Sequence, residues 1–446
     1  MAKGKIVLQG SIELLSPSCI GSGKKDYTEI DVLLDGDGRP FIPATSLVGV
    51  LNHYIKLDGH DDDLKRFWGF ISRKGEEISE DEKEQQSSLC CSDLYCFGGD
   101  PKIAVRDGIK IDNKNGIVIS GKKYDYQVVE RGTRFNLHLE VNLEARFTDA
   151  TRQFFRRMVA TIRSVLEQGL VQIGAKTNSG LGKMQLSNAR VCEFDFKEKG
   201  VVFRWLRRDF SVPTPFPEQP FEIKTDNFSI HAVFTLKGSF ISRSYSADPN
   251  SPDAVSIKSG DAFVIPGTSL KGAIRSRAER ILKTFGKSQN VLLKLFGDVN
   301  EETKEKSKGK ISIDEVILPG YANELQTRIK IDRFTGGTIE SALFETMPLF
   351  SDNDENKLIK NVNIAIKDYK DHEVGLILLV LKDLWTGDLA VGGEKNIGRG
   401  VFKGIQADIT WNDEKVTLKK GLEGLSEGDK KALEGFVSAL RDFQKE

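Results

Sequence analysis

The 446-residue chain is short of cysteine and histidine, has no long apolar run and carries no net charge, and each shortage removes a class of function. Five cysteines are too few for a disulfide scaffold at this length, and an odd count leaves one unpaired, as suits a reducing compartment. Five histidines, none in the two loops singled out below, argue against a ribonuclease built on paired histidines. No apolar run approaches the roughly 18 residues that a membrane helix needs. The first residues, MAKGKIVLQG, lack the apolar core of a signal peptide, so the expected location is cytoplasmic and no membrane partner is expected. No GxxxxGK[ST] pattern occurs, which argues against a P-loop nucleotide site. Lys and Arg total 65 against 65 Asp and Glu, so the global basic signature of a nucleic-acid binder is missing too.

What is present is segregated and doubled. Acids gather in loop-like runs (Asp58 to Asp63, Glu76 to Glu84, Asp298 to Glu305), whereas Lys271, Arg275, Arg277, Arg280 and Lys283 share a stretch whose only acid is Glu279. Phosphate binding answers to such local patches rather than to the total. The stretch Ile265-Pro266-Gly267-Thr268-Ser269-Leu270-Lys271-Gly272 has a degraded copy at Ile42-Pro43-Ala44-Thr45-Ser46-Leu47-Val48-Gly49, with Thr45 and Thr268 223 residues apart, half the chain. Phe97-Gly98 recurs at Phe296-Gly297, Ile109-Lys110-Ile111-Asp112 at Ile329-Lys330-Ile331-Asp332, and the loop from Gly174 to Gly182 at Gly392 to Gly400. Four motifs in one order indicate two fused similar domains. At 39% hydrophobic and 29% charged, the chain suits two soluble domains better than one core.

The first domain is expected over residues 1–210 and the second over 225–446. A linker spans 211–224, where Pro213, Pro215, Pro217 and Pro220 interrupt regular structure. Alternation at Phe135, Leu137, Leu139 and Val141 predicts a strand. Thr151 to Gln168, with Phe154, Phe155, Met158, Ile162 and Leu166 in one stripe, predicts a helix. Thr45 or Ser46 is expected to cap a helix through Leu47 and Leu51, and Ser426 to cap a C-terminal helix. The polar stretch from Asp58 to Gln86 is expected to be an exposed insertion.

Two local patterns suit phosphate. Gly174, Gly180 and Gly182, and Gly392, Gly398 and Gly400, would let backbone N–H groups approach it, with Lys176, Lys183, Lys395 and Arg399 supplying charge. A plain glycine-rich turn with solvated lysines is the alternative. Lys271 and Arg275, four apart, share a helix face near its N-terminus; the first copy has Val48 and Asn52 there, so the two halves should grip phosphate unequally.

Together these motifs resemble the RAMP superfamily of CRISPR-associated proteins, and a chain with two such units resembles the fused double backbone subunit of a type III (III-D-like) effector complex. The resemblance implies an α+β architecture of two tandem ferredoxin-like (RRM-like) domains, each with a β-hairpin thumb pressing between guide and target bases. It implies a backbone subunit that binds guide CRISPR RNA, contacts other effector subunits in a filament-like complex and cleaves complementary target RNA with Mg2+ or Mn2+. The catalytic carboxylate would be Asp253 in the second half, with Asp248 as substitute. In the first half it would be Asp26, with Asp31 and Glu29 as alternatives. RNA contacts would fall to Ser46, Ser269, Lys271, Arg275, Lys176, Asn178, Lys183, Lys395, Asn396 and Arg399. Cys90, Cys91 and Cys96, with His53 or His60, are candidate zinc ligands of the kind some relatives carry; buried free thiols are the other option. A purely structural RNA-binding subunit is the alternative function, and a metal-independent guide-processing ribonuclease the third.

Overall fold

The first half of the chain supplies, in order, β1 (Ala2–Leu14), α1 (Ala44–Tyr54), β2 (Leu94–Phe97), β3 (Ile103–Ile111), β4 (Val118–Val129), β5 (Arg134–Glu144), α2 (Asp149–Glu167) and β6 (Met184–Asp195). In β1, Ile6, Leu8 and Ile12 are wholly buried on one face, as the two-residue period of a strand dictates. Val7, on the other face, is covered as well, because Cys192, Phe194 and the short helix Lys199–Leu206 pack over it. β1 lies antiparallel between β5 and β6, and β2 adds beyond β5, so the four main strands of this six-stranded sheet run β6-β1-β5-β2. The stripe of α2 buries Phe154, Phe155, Met158, Ile162 and Leu166 against this sheet, each contributing about 1.5–3 kcal/mol.

The second half repeats the plan with β7 (Asn227–Lys237), β8 (Ala254–Ser256), α3 (Gly267–Thr284), β9 (Ile311–Ile313), β10 (Gln326–Ile331), β11 (Thr338–Met347), β12 (Ile359–Lys367), α4 (Asp371–Thr386), β13 (Val401–Trp411), β14 (Glu414–Lys419) and α5 (Glu427–Asp442). Its sheet runs β9-β12-β7-β13-β14. In each sheet the first strand therefore lies between the third and the fourth. α5 begins where expected: the Ser426 hydroxyl accepts the Asp429 N–H at 3.0 Å, a capping box. This computed structural model describes residues 2–23, 26–71, 84–113, 115–223, 227–244, 251–299, 306–351, 357–422 and 425–444. Two compact units emerge, one of residues 1–105, 126–175 and 182–224, the other of 106–125, 176–181 and 225–446.

Two local expectations need correction. α1 starts two residues earlier than a Thr45 cap, and three earlier than a Ser46 cap, would place it: Pro43 holds the cap position, as Pro266 does for α3 (ψ 136° in each), which leaves Ser46 and Ser269 inside the first turn. The polar stretch after Asp58 contains a helix, Asp61–Trp68, whose Phe67 is wholly buried edge-on to Phe155, so that part is core; 72–83 lie outside the described residues. The proline-rich segment is tied down along its length within the first unit. Thr214 N–H donates to the Val191 carbonyl (2.9 Å), Phe221 N–H to the Thr161 hydroxyl (2.8 Å), and Arg157 stacks on the Phe221 ring.

Candidate nucleic-acid interface

The loop from Gly21 to Asp31 is organised by Asp31. Its carboxylate accepts the N–H groups of Asp26 (2.7 Å), Tyr27 (3.0 Å) and Thr28 (2.8 Å) and the Thr28 hydroxyl (2.8 Å). Burial pushes the Asp31 carboxyl up, but these donors together outweigh it and hold it below its usual range. Asp31 is thus the internal anchor of the loop, and it leaves Asp26, Tyr27 and Glu29 exposed around it. Lys24 and Lys25 lie outside the described residues.

In the second half Asp253 is exposed immediately before β8, and one of its oxygens accepts the Glu345 N–H at 2.8 Å. β8 pairs in parallel with the end of β11 at Ala254–Thr346, so Asp253 stands at the base of the β10–β11 hairpin. Asp248 lies outside the described residues. The first loop is tied to the matching hairpin strand, Gln127 N–H donating to the Ile30 carbonyl at 2.9 Å. One hydrogen bond recurs in both loops: Leu33 N–H to the Ile20 carbonyl (2.8 Å) and Ile257 N–H to the Ser242 carbonyl (2.9 Å). Four residues before each of these donors stand Glu29 and Asp253, whereas Asp26 comes three residues earlier in its loop.

The hairpins carry a signal that composition hid. At the second tip Asp332 accepts the N–H groups of Phe334 and Thr335, and Phe334 is fully exposed. Ile329, Ile331, Leu343 and Phe344 are exposed along the same hairpin, as are Ile109, Ile111, Ile117 and Val118 along the β3–β4 hairpin. Apolar residues clustered on a projecting ribbon mark a contact surface. The alternation of isoleucines with polar residues was the available clue.

Several residues expected to contact RNA are engaged within the second unit instead. Lys271 Nζ donates to the carbonyls of Asn178 and Ile311, both at 3.3 Å. Burial, and then the neighbouring Arg275, push its ammonium down to about 8. Asn178 Nδ2 donates to the Gly309 carbonyl at 2.6 Å, and Lys176 Nζ to the Tyr124 hydroxyl at 3.0 Å. Arg399 is buried, bonded to Glu394 (2.8 Å), Ser239 (2.8 Å) and Gln326. Glu394 is also paired with Arg243 and Arg328, so this cluster is an internal tie. Ser269 faces Ser242 (3.3 Å), while Ser46, Lys183 and Arg275 are half-buried. Lys395 and Asn396 are exposed. The outer glycines have a packing reason: the Gly182 and Gly400 N–H groups donate to the Pro17 and Ser239 carbonyls (2.7 and 2.8 Å), and a Cβ on either would collide with the Ile173 or Val391 backbone.

The thiols do not assemble. Cys90 and Cys91 are neighbours on one short strand and so face opposite ways. Cys96 meets Arg39, His53 is exposed, and His60 stacks on Phe154 and Phe221. Burial, then Asp93 and Cys90, hold the Cys91 thiol up at about 12, the protonated form that binds metal poorly. Among the described residues no group of three or more His, Cys, Asp or Glu side chains is arranged to hold a metal. The zinc candidates therefore do not fit that ion. A hard cation asks for less: Mg2+ keeps its waters and takes one or two carboxylates plus substrate phosphates. An exposed Asp253 or Asp26 matches that donor chemistry.

Among the described residues no helix is long and apolar enough to cross a membrane. No curated protein matches the chain. The sequence profile of the RAMP superfamily matches it twice, over residues 11–185 and 237–403, each match running from the first strand of a half into the strand after its glycine-rich loop. With well over half its length matched, and matched in duplicate, the chain belongs to the RAMP superfamily of CRISPR-associated proteins.

Proposed function

We propose that the protein is a guide CRISPR RNA-binding backbone subunit of a type III effector that cleaves complementary target RNA. Membership of a CRISPR-associated RNA-binding family supports the broad role. The observation that carries the finer reading is the repeated pairing of an exposed carboxylate loop with the base of a hairpin whose outer face is apolar. Each half is then a ferredoxin-like domain, a reading supported by the sheet in which the first strand lies between the third and fourth. The repeats span 1–210 and 225–446, joined by the segment 211–224. Each hairpin is a thumb whose apolar residues displace a base and hold the adjoining phosphodiester over the carboxylate.

Asp253 is the carboxylate of the second domain. In the first, Asp26 and Glu29 are the exposed candidates, Glu29 by register and Asp26 by its place at the head of the loop. The Glu345 N–H fixes the Asp253 side chain and leaves its other oxygen to orient the attacking 2′-hydroxyl and take its proton as the P–O5′ bond breaks, giving a 2′,3′-cyclic phosphate and a 5′-oxygen that takes a proton from water. Mg2+ or Mn2+ held by that carboxylate and a phosphate oxygen would supply charge stabilisation. Arg275 remains for backbone contacts. Guide RNA, target RNA and neighbouring effector subunits are the partners.

The test is to incubate the assembled complex with complementary RNA, with and without Mg2+. Product that requires the ion supports the reading. Tight RNA binding with no product under either condition would favour a purely structural subunit.

A further inference from the structure

The two glycine-rich loops share one backbone shape and have different surroundings. Lys176 and Gly180 bracket the tight turn Thr177–Ser179 at φ 59° and 84°, and Glu394 and Gly398 bracket Lys395–Ile397 at φ 56° and 86°. Within the second unit the first turn is seated on the start of α3. A Cβ on Gly267 would collide with the Ser179 carbonyl oxygen and lie 2.7 Å from that of Ile313, so the seat needs glycine at the first helical position. Lys271, four residues on, donates to the Asn178 carbonyl, and Asn178 returns a bond to Gly309 (2.6 Å). Gly180 is pressed against the backbone of Asp314 and Glu315.

Among the described residues the second turn has no such seat. A Cβ on Gly398 would have nothing within 4 Å, and Lys395, Asn396 and Ile397 are exposed, Ile397 at 51%. The other helix start in the chain is the wrong shape for it, since α1 has Ala44 where α3 has Gly267 and Val48 where α3 has Lys271. One seat is filled, the other is altered, and one turn is left over.

We infer that the Glu394–Gly398 turn is a docking element for a partner protein whose helix start carries glycine and lysine at the positions of Gly267 and Lys271, and not for a second copy of this chain. The contact is heterologous, turn into seat, so it sets a direction of assembly. The inference uses the repeat alone, without the RNA-binding reading, and its test contains no RNA.

Ala44→Gly with Val48→Lys rebuilds the seat on α1 of the full chain. Sedimentation velocity should show the wild type monomeric and the reseated chain associating with itself as concentration rises. Adding Asn396→Asp and Ile397→Asp should weaken that association at least tenfold. Val48→Lys alone, a half-buried surface change that leaves the helix intact, should give the same order more weakly and covers the event that the double change misfolds. A reseated chain and a Val48→Lys chain that both stay monomeric would overturn the proposal. So would association that survives the turn substitutions, or wild type that self-associates through the turn.

Discussion

Gly267→Ala separates the two meanings of the IPGTSLKG stretch. The new Cβ would meet backbone on two sides, Ser179 and Ile313, and neither can swing away as a side-chain tip would. Overpacking of this kind costs about 1–3 kcal/mol. If the turn lifts to relieve it, the bonds of Lys271 and Asn178 to backbone carbonyls go as well, at about 1 kcal/mol each. The expected loss is about 2–4 kcal/mol, confined to the second unit. Gly272→Ala is the control in the same helix: a Cβ there would meet nothing within 4 Å, and replacing an exposed helical glycine should gain about 0.5–1 kcal/mol. Amide hydrogen exchange over residues 176–181 and 267–272 reads both changes, alongside urea denaturation. Gly267→Ala should speed exchange in both segments while RNA affinity per folded molecule stays near wild type. A Gly267→Ala protein as stable as wild type, with RNA affinity lost, would refute the packing argument and restore the stretch as a phosphate site.

Three further outcomes follow from the same geometry. Lys271→Glu should cost about 3–5 kcal/mol in denaturation, because it turns a half-buried cation facing two carbonyls into an anion facing them; an unchanged midpoint with a shallower salt slope of RNA binding would instead make Lys271 a phosphate ligand. Glu140 sits among Lys5 (2.6 Å), Arg208 (2.6 Å) and His138 (2.8 Å). Burial pushes its carboxyl up, but the bonds from Lys5, His138 and Arg208 prevail and hold it at about 2. Because the folded value lies below the unfolded one, its stabilisation is complete above the unfolded value of 4.5 and is lost as pH falls toward 2. After allowance for solvent screening it is worth about 1–2 kcal/mol, so Glu140→Gln should flatten the acid limb of the first unit's pH–stability curve; an unaltered limb would contradict the network. Phe334→Ala should leave stability within about 0.5 kcal/mol, since the ring is fully exposed, and should reduce target cleavage in the assembled complex; unchanged cleavage would remove the hairpin tip from the site.

The doubling was legible because short motifs keep their order even when their residues drift, and the strand at β5 and the helix at α2 were legible because each buries one face. α4 was not visible as an amphipathic helix. Its Leu-Ile-Leu-Leu-Val-Leu run is apolar on more than one side, because it packs on α5 as well as on the sheet, and α5 approaches closely enough that a Cβ on Gly375 would strike Phe436. Lys271 and Arg399 looked like phosphate ligands for a similar reason. A basic residue beside glycine reads the same whether its partner is an RNA phosphate or a carbonyl from a distant loop, and only tertiary placement tells them apart. Asp31 was one of three interchangeable loop acids in sequence, and its four donors single it out. The hairpin isoleucines were legible as a repeat but not as an exposed apolar face, because alternating isoleucines ordinarily signal a covered one, and here they are exposed.

The central claim is that each half holds its own cutting carboxylate at the base of a hairpin. The direct measurement maps cleavage products on end-labelled complementary RNA for complexes carrying Asp253→Asn, Asp26→Asn or Glu29→Gln. Asp253→Asn should delete one set of cuts and spare the other, and one of the two first-loop substitutions should do the reverse. An identical product ladder in a complex carrying all three changes would contradict the account.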